Sequence, residues 1–280
     1  MQAKNAIAFQ GEPGAYSELA AINFFQHDTP TLPCHTFDAV FEAVNQSNCA
    51  YGIIPIENSL AGSIHRNYDL MLRYNLHIIG EHHLRVKHCL MALPGVALGQ
   101  VERVHSHPQA LAQCEASLTR LGLEAIAEAD TAGSARLIRQ RNDHHAAALA
   151  SRRAAQVYDL NILVESMEDN PANYTRFLVL GRQPAAATDP QAGDYKTSIV
   201  FSMKNVPGAL FKALSVFALR DIDLTKIESR PLAGQPWEYI FYIDFAAHAE
   251  SKNGQRALDH LEELTYFLRI LGSYPRHEWK

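Results

Sequence analysis

The sequence predicts an α/β protein in two parts, a larger region up to about residue 182 and a smaller βαββαβ module over 196–280. Three observations carry this. Before residue 183, short apolar runs alternate with amphipathic stretches, the rhythm of strands and helices around a largely parallel sheet. Residues 183–194 read QPAAATDPQAGD, rich in Pro, Ala, Gly and Asp and without a large apolar side chain, which marks a linker over 183–195. After it, the order of apolar runs is that of a split βαβ module.

In the first region the strand candidates are residues 6–9, 51–54, 101–104, 146–149 and 177–180. Between them Phe37, Val40, Phe41 and Val44 recur at three and four residues, as do Leu111, Cys114, Leu118 and Leu121, so each set predicts one buried helix face. Four helix starts are marked: Gly11-Glu12-Pro13-Gly14, Gly62-Ser63, Ser106-His107-Pro108 and Asp130-Thr131. Pro and Asp suit first-turn and cap positions, and the exposed N–H groups there also suit anions. Taken singly each is a cap; only convergence in space makes them a site. After the linker come strand 197–203, helix 208–219, strands 222–228 and 239–245, helix 255–268 and a short strand near 269–271, with a sharp turn at Asn205-Val206-Pro207-Gly208.

Composition excludes several classes. The 280 residues are 47% hydrophobic and 20% charged, an ordinary globular balance. The net charge of -5 is 25 basic minus 30 acidic residues, and neither part is basic, so no nucleic-acid partner is expected. No apolar run approaches the ~18 to 20 residues of a membrane span, and neither a membrane partner nor a leader or plastid transit segment is expected. Cys34, Cys49, Cys89 and Cys114 form no CxxC pair, which predicts reduced thiols in a cytoplasmic protein. His82-His83, His88, His105 and His144-His145 lack the spacing of a ligand set, so they are expected at the surface, with no metal.

The chemistry-bearing segments are IPIENSLAGS at 54–63, SHPQA at 106–110 and NYTRF at 173–177. The first runs a strand into a carboxylate, an amide and a hydroxyl, where α/β folds place ligands. By themselves these segments predict a small polar or anionic ligand. Together with GEPGAYSE at 11–18, HPQALAQC at 107–114 and DTAGSAR at 130–136, in this order and spacing, they resemble the prephenate dehydratase family over residues ~6 to 182. GALFKAL at 208–214 and ESRP at 228–231 resemble the regulatory ACT domain that often follows it. Two stretches depart from the family: 165–169 reads ESMED where an AENIQD-like run is usual, and Ala246-Ala247-His248 replaces an acidic-Gly-His stretch.

The resemblance implies a bilobed catalytic region like type-II periplasmic binding proteins, its middle lobe at about 81–160, and a ferredoxin-like ACT domain. It implies decarboxylative dehydration of prephenate to phenylpyruvate without a cofactor, with arogenate dehydratase or a catalytically silent amino-acid sensor as the alternatives. The family's essential threonine falls on Thr175, donor to the leaving hydroxyl, alone or by relay from Glu57. Asn58 and Gln109 carry the polar positioning roles, and Ser59 is a further substrate contact. Arg176 is read either as a carboxylate binder or as a structural ion pair, and His107 as a helix-start residue. In the ACT domain Asn205, Gly208, Ala209 and Leu210, with Glu228, Ser229 and Arg230 of a neighbouring subunit, imply an L-phenylalanine site. Gly208 is expected to let backbone approach closely, and the chain is expected to form a homodimer or homotetramer.

Overall fold

Two sheets precede the linker and one follows it. The computed structural model describes residues 5–26, 29–192, 194–232 and 238–277. The chain opens with β1 (Ile7–Gln10), α1 (Tyr16–Phe25), β2 (Thr31–Cys34), α2 (Phe37–Asn45), β3 (Tyr51–Asn58), β4 (Gly62–Ser63), α3 (His65–Arg73) and β5 (His77–Arg85). It continues through β6 (Cys89–Ala92), β7 (Arg103–Ser106), α4 (Pro108–Ala112), α5 (Glu115–Leu121), β8 (Glu124–Ala127), α6 (Thr131–Arg141), β9 (Ala146–Ala150), α7 (Arg152–Val157), β10 (Asn161–Val164) and β11 (Tyr174–Gly181). The last part is β12 (Tyr195–Ser202), α8 (Ala209–Ala218), β13 (Leu224–Pro231), β14 (Tyr239–Phe245), α9 (Lys252–Glu262) and β15 (Phe267–Pro275).

The first sheet has the order β2-β1-β3-β11-β5, with β4 on β3, and β1 runs parallel to both β2 and β3. Its central strands β1 and β3 carry apolar runs because both their faces are covered: Ile7, Phe9, Ile53 and Ile54 are buried, and α2 adds Val40, Phe41 and Val44. Thr36 starts α2 by accepting from the Ala39 N–H at 3.1 Å. The second sheet has the order β10-β6-β9-β7-β8, parallel at β7–β8 and β7–β9 and antiparallel around β6. All five residues of β9 are buried, four of them alanines, and the lobe's core also holds Leu90, Met91, Leu118 and Ile138.

Several boundaries differ from expectation for physical reasons. The helix predicted through Leu111 and Leu121 is two helices, because the Asp169 carboxylate accepts the N–H groups of Ala116 (2.9 Å) and Ser117 (3.1 Å) and so makes a second N-terminus. Gly62-Ser63 pairs with Glu57-Asn58 as a strand, and α3 begins at His65. β5 belongs to the first sheet, so the middle lobe's own strands begin at Cys89. Ser251 caps α9, which therefore starts and ends earlier than predicted and leaves β15 nine residues long.

The third sheet is antiparallel in the order β13-β14-β12-β15, the ferredoxin-like arrangement expected of βαββαβ. α8 and α9 bury Val216, Phe217, Leu258 and Leu261 against Ile199, Phe201, Ile243 and Phe245. The chain divides into two compact units, Met1–Tyr74 with His82–Leu178, and Asn75–Glu81 with Val179–Lys280. Within the second unit the Lys196 ammonium lies 2.8 Å from both oxygens of the buried Glu81 carboxylate, which also accepts the His277 N–H at 3.0 Å. Among the described residues no helix is long and apolar enough to cross a membrane.

Candidate active site

The first unit contains a cavity of about 580 Å³ to which both of its lobes contribute. All four marked segments reach it, through Gly11 and Tyr16, Gly62 and Ser63, His107 and Gln109, and Asp130 and Thr131. His107 caps α4 by accepting the Gln109 N–H through Nδ1 at 3.2 Å, and Asp130 caps α6 by accepting from Gly133. The N-termini of α1 and α3 carry no side-chain cap, an arrangement that suits an anion.

Gly14 holds the lobes together. A Cβ there would lie 2.7 Å from the backbone of Ala154, and its φ of +92° favours glycine. Its carbonyl accepts from Ser151 Oγ at 2.5 Å, and its N–H donates to Glu18 at 2.7 Å. The motif 11–18 thus carries its own fastener, Glu18, which also accepts from Thr31 and faces Arg153 at 3.3 Å.

The walls are built on one directed hydrogen-bond chain. Asn58 Oδ1 accepts the N–H groups of Leu60 (3.0 Å) and Ala61 (2.9 Å), which fixes the amide's orientation. Its Nδ2 therefore donates, toward Asn173 Oδ1 (2.7 Å), Thr175 Oγ1 (3.0 Å) and the Tyr174 carbonyl (3.1 Å). Asn173 in turn donates to Gln113 Oε1 at 3.0 Å, and the same oxygen meets His88 Nε2 at 3.0 Å. His88 Nδ1 faces Tyr16 Oη at 2.8 Å. Because Thr175 accepts from Asn58, its hydroxyl proton is left to point elsewhere, and Thr175 lines the cavity.

Of the residues singled out for catalysis, Asn58, Gln109 and Thr175 meet at this cavity, and Glu57, Ser59 and Arg176 are not among its lining residues. Arg176 is buried and lies 3.5 Å from Glu57, the ion-pair alternative of its two readings. Adjacent positions on a strand face opposite ways, so Thr175 and Phe177 line the cavity and Arg176 between them does not. The Ser59 hydroxyl donates to the Ala172 carbonyl (2.8 Å) and accepts the Tyr174 N–H (2.9 Å), splicing the segment before β11 to the end of β3.

Sequence reasoning missed Tyr16, His88, Gln113 and Asn173. His88 was expected at the surface; it is buried and lines the cavity, and burial holds its imidazole below the usual histidine range. His105 is likewise buried, 2.9 Å from Glu128. Burial pushes the Tyr16 hydroxyl well above the usual tyrosine range, so it stays protonated. The one available signal was that Tyr16, Gln113 and Asn173 fall inside motifs already quoted. Among the described residues no group of three or more His, Cys, Asp or Glu side chains is arranged to hold a metal ion.

In the second unit a cavity of about 340 Å³ is lined by Asn205, Gly208, Ala209, Leu210, Tyr239 and Phe241 among others. Glu228, Ser229 and Arg230 sit on β13, the edge strand, and are not among its lining residues. Gly208 does not serve close approach: a Cβ there meets nothing within 4 Å, and its φ of +80° at the N-cap of α8 is what favours glycine.

A two-lobed α/β fold with helix starts, amides and hydroxyls around one cavity, followed by a ferredoxin-like module, defines an enzyme with a small-molecule cavity and a separate regulatory-type domain. The chain belongs to the prephenate dehydratase family, whose model matches residues 7–185, and an ACT domain matches 197–263. It is thereby a hydro-lyase of aromatic amino-acid biosynthesis with the periplasmic-binding-protein-like fold. It is 52% identical over 278 residues to arogenate dehydratase/prephenate dehydratase 2, chloroplastic, of Arabidopsis thaliana, covering 96% of this chain and 72% of that protein. Among solved structures it resembles prephenate dehydratase from Arthrobacter aurescens in complex with L-Phe (31% identity, 97% and 90% of the two chains, TM-score 0.87). It also resembles GqqA, a quorum quenching acylase (39% identity, 98% of each chain, TM-score 0.91). The expectation of a cytoplasmic protein is corrected here, because the Arabidopsis thaliana relatives it matches over 96% or more of its length are named chloroplastic.

Proposed function

We propose that this chain converts prephenate to phenylpyruvate, CO₂ and water, and that L-phenylalanine inhibits it through the ACT domain. The observation that carries the reading is the contact from Asn58 Nδ2 to Thr175 Oγ1 at 3.0 Å, which turns a threonine hydroxyl into a donor aimed away from its own scaffold. Hydroxide leaves as the ring aromatises, and Thr175 donates to that oxygen as the C–O bond breaks. Loss of CO₂ leaves the bonding electron pair in the new aromatic ring, and the departing hydroxide takes up one proton to become water. The side-chain carboxylate is held by the uncapped N-termini of α1 and α3, with Gln109 as an amide donor. Glu57 acts by fixing Arg176 behind this wall rather than by relaying a proton.

Arogenate is the second reading. It is favoured by the Asp130 carboxylate on the cavity, an acceptor for an ammonium group, and by the name of the Arabidopsis thaliana relative. L-phenylalanine occupies the 340 Å³ cavity beside Gly208, and Glu228, Ser229 and Arg230 reach it from the edge strand of a second copy in a homodimer or homotetramer. Phenylpyruvate and phenylalanine release are measured from prephenate and arogenate in parallel, with and without added L-phenylalanine. Phenylpyruvate formation suppressed by L-phenylalanine is expected; turnover of arogenate alone favours the second reading, and inertness toward both leaves only a silent sensor.

A further inference from the structure

Among the described residues, no Lys or Arg side chain lines the cavity that is read as holding a dianion. Asp130 adds a negative charge, and the side chains on its wall able to become cations are His88 and His107. His107 uses its Nδ1 as a cap acceptor and is exposed. His88 is buried and sits at the end of the chain that begins at Asn58.

That chain fixes where the first proton of His88 resides. Gln113 Oε1 already accepts from Asn173, whose orientation is set by Asn58, so His88 presents Nε2–H to it. The second nitrogen has a choice. Tyr16 Oη lies 2.8 Å from Nδ1 and 2.9 Å from the Lys87 carbonyl. With neutral His88, the tyrosine proton points at Nδ1. With charged His88, Nδ1–H donates to Tyr16 Oη and the tyrosine proton turns to the Lys87 carbonyl, so both N–H groups are satisfied without moving a heavy atom.

We infer that His88 is the titrating cation of the active site, taking up a proton on Nδ1 when a dicarboxylate enters and giving it back when the site empties. This rests on the reading of the cavity as the dianion site. The groups around the pair are compatible with it. Glu168 accepts the His88 backbone N–H at 2.9 Å and favours the charged ring, Arg85 stands 3.8 Å from Glu168, and the buried Cys89 and Cys114 thiols are held neutral by desolvation. In the empty protein burial keeps the ring neutral at neutral pH. Affinity for the dianion therefore falls as pH rises, by about tenfold per unit in the window between the empty and occupied pKa values.

Prephenate binding to full-length Thr175→Ala protein, which separates binding from turnover, is measured by calorimetry in buffers of different ionisation enthalpy. Uptake of about one proton per site near neutral pH is expected. His88→Gln, whose amide keeps a donor toward Gln113 but cannot take a charge, loses that uptake and the pH dependence of affinity. Tyr16→Phe, which removes the acceptor of Nδ1–H, loses them too and guards against a folding defect in the first variant. Binding without proton uptake, or uptake unchanged in both variants, overturns the role of His88 while leaving the enzyme reading intact. Failure of prephenate to bind at all overturns the reading of the cavity and this inference with it.

Discussion

The two cavities are built on opposite plans. The larger is framed by side chains that fix one another's orientation from Leu60 and Ala61 through Asn58, Asn173 and Gln113 to His88. The smaller is framed by a turn, one helix start and the aromatic rings of Tyr239 and Phe241, beside an edge strand whose Thr225, Ile227 and Ser229 are exposed. The difference teaches where each needs precision. An elimination needs a donor within a fraction of an ångström of the leaving oxygen, whereas a regulatory amino acid needs a site whose two states differ in affinity.

The largest effect is expected at the donor. Thr175→Ala should lower kcat for prephenate by about two orders of magnitude or more, with KM changed far less, as for loss of one transition-state donor. Steady-state kinetics decide this, and unchanged turnover would remove Thr175 from the chemistry. Next comes the frame itself. Asn58→Asp puts a second carboxylate oxygen where an N–H group now faces three acceptors, and should lower unfolding free energy by about 2 to 3 kcal/mol in urea titration at neutral pH. If the variant keeps full stability, the side-chain chain is not what holds the wall.

The smaller cavity should answer differently. Gly208→Ala meets no steric obstacle but must hold φ +80°, at a cost of about 1 kcal/mol. The inhibition curve for L-phenylalanine should move several-fold to higher concentration, and an unmoved curve would separate this turn from regulation. The smallest effect concerns acidity. His88 has a folded pKa below its unfolded value near 6.5, so the unfolded chain binds the extra proton first. Its contribution is complete above about pH 6.5 and is lost as pH falls toward the folded pKa. The urea midpoint should therefore decline on acidification through that window in the empty protein, and less so in His88→Gln.

The sequence made the strand–helix rhythm and the βαββαβ order legible because these are local periodicities, and the resemblance pointed to Asn58, Gln109 and Thr175, which line the cavity. It was less informative where neighbours in sequence part in space. Glu57, Ser59 and Arg176 flank the residues that line the cavity, yet strand alternation and backbone splicing turn them away from it. His88 meets Gln113 across 25 residues and Glu168 across 80, and Gln113 meets Asn173 across 60, distances at which no periodicity in the chain speaks. The break between α4 and α5 was hidden for the same reason, since its cause, Asp169, lies 52 residues beyond Ser117.

The Lys196–Glu81 pair bears on how the molecule can be dissected. Residues 183–195 look like the place to cut, but a fragment that starts there leaves Glu81 on the other piece and takes Lys196 with it. Removing one partner of a buried ion pair typically costs about 3 to 5 kcal/mol, a large share of what a module of this size has to spare. The regulatory domain is thus a discontinuous object: seven residues from before the middle lobe, 75–81, travel with it, and a fragment meant to stand alone has to bring them along.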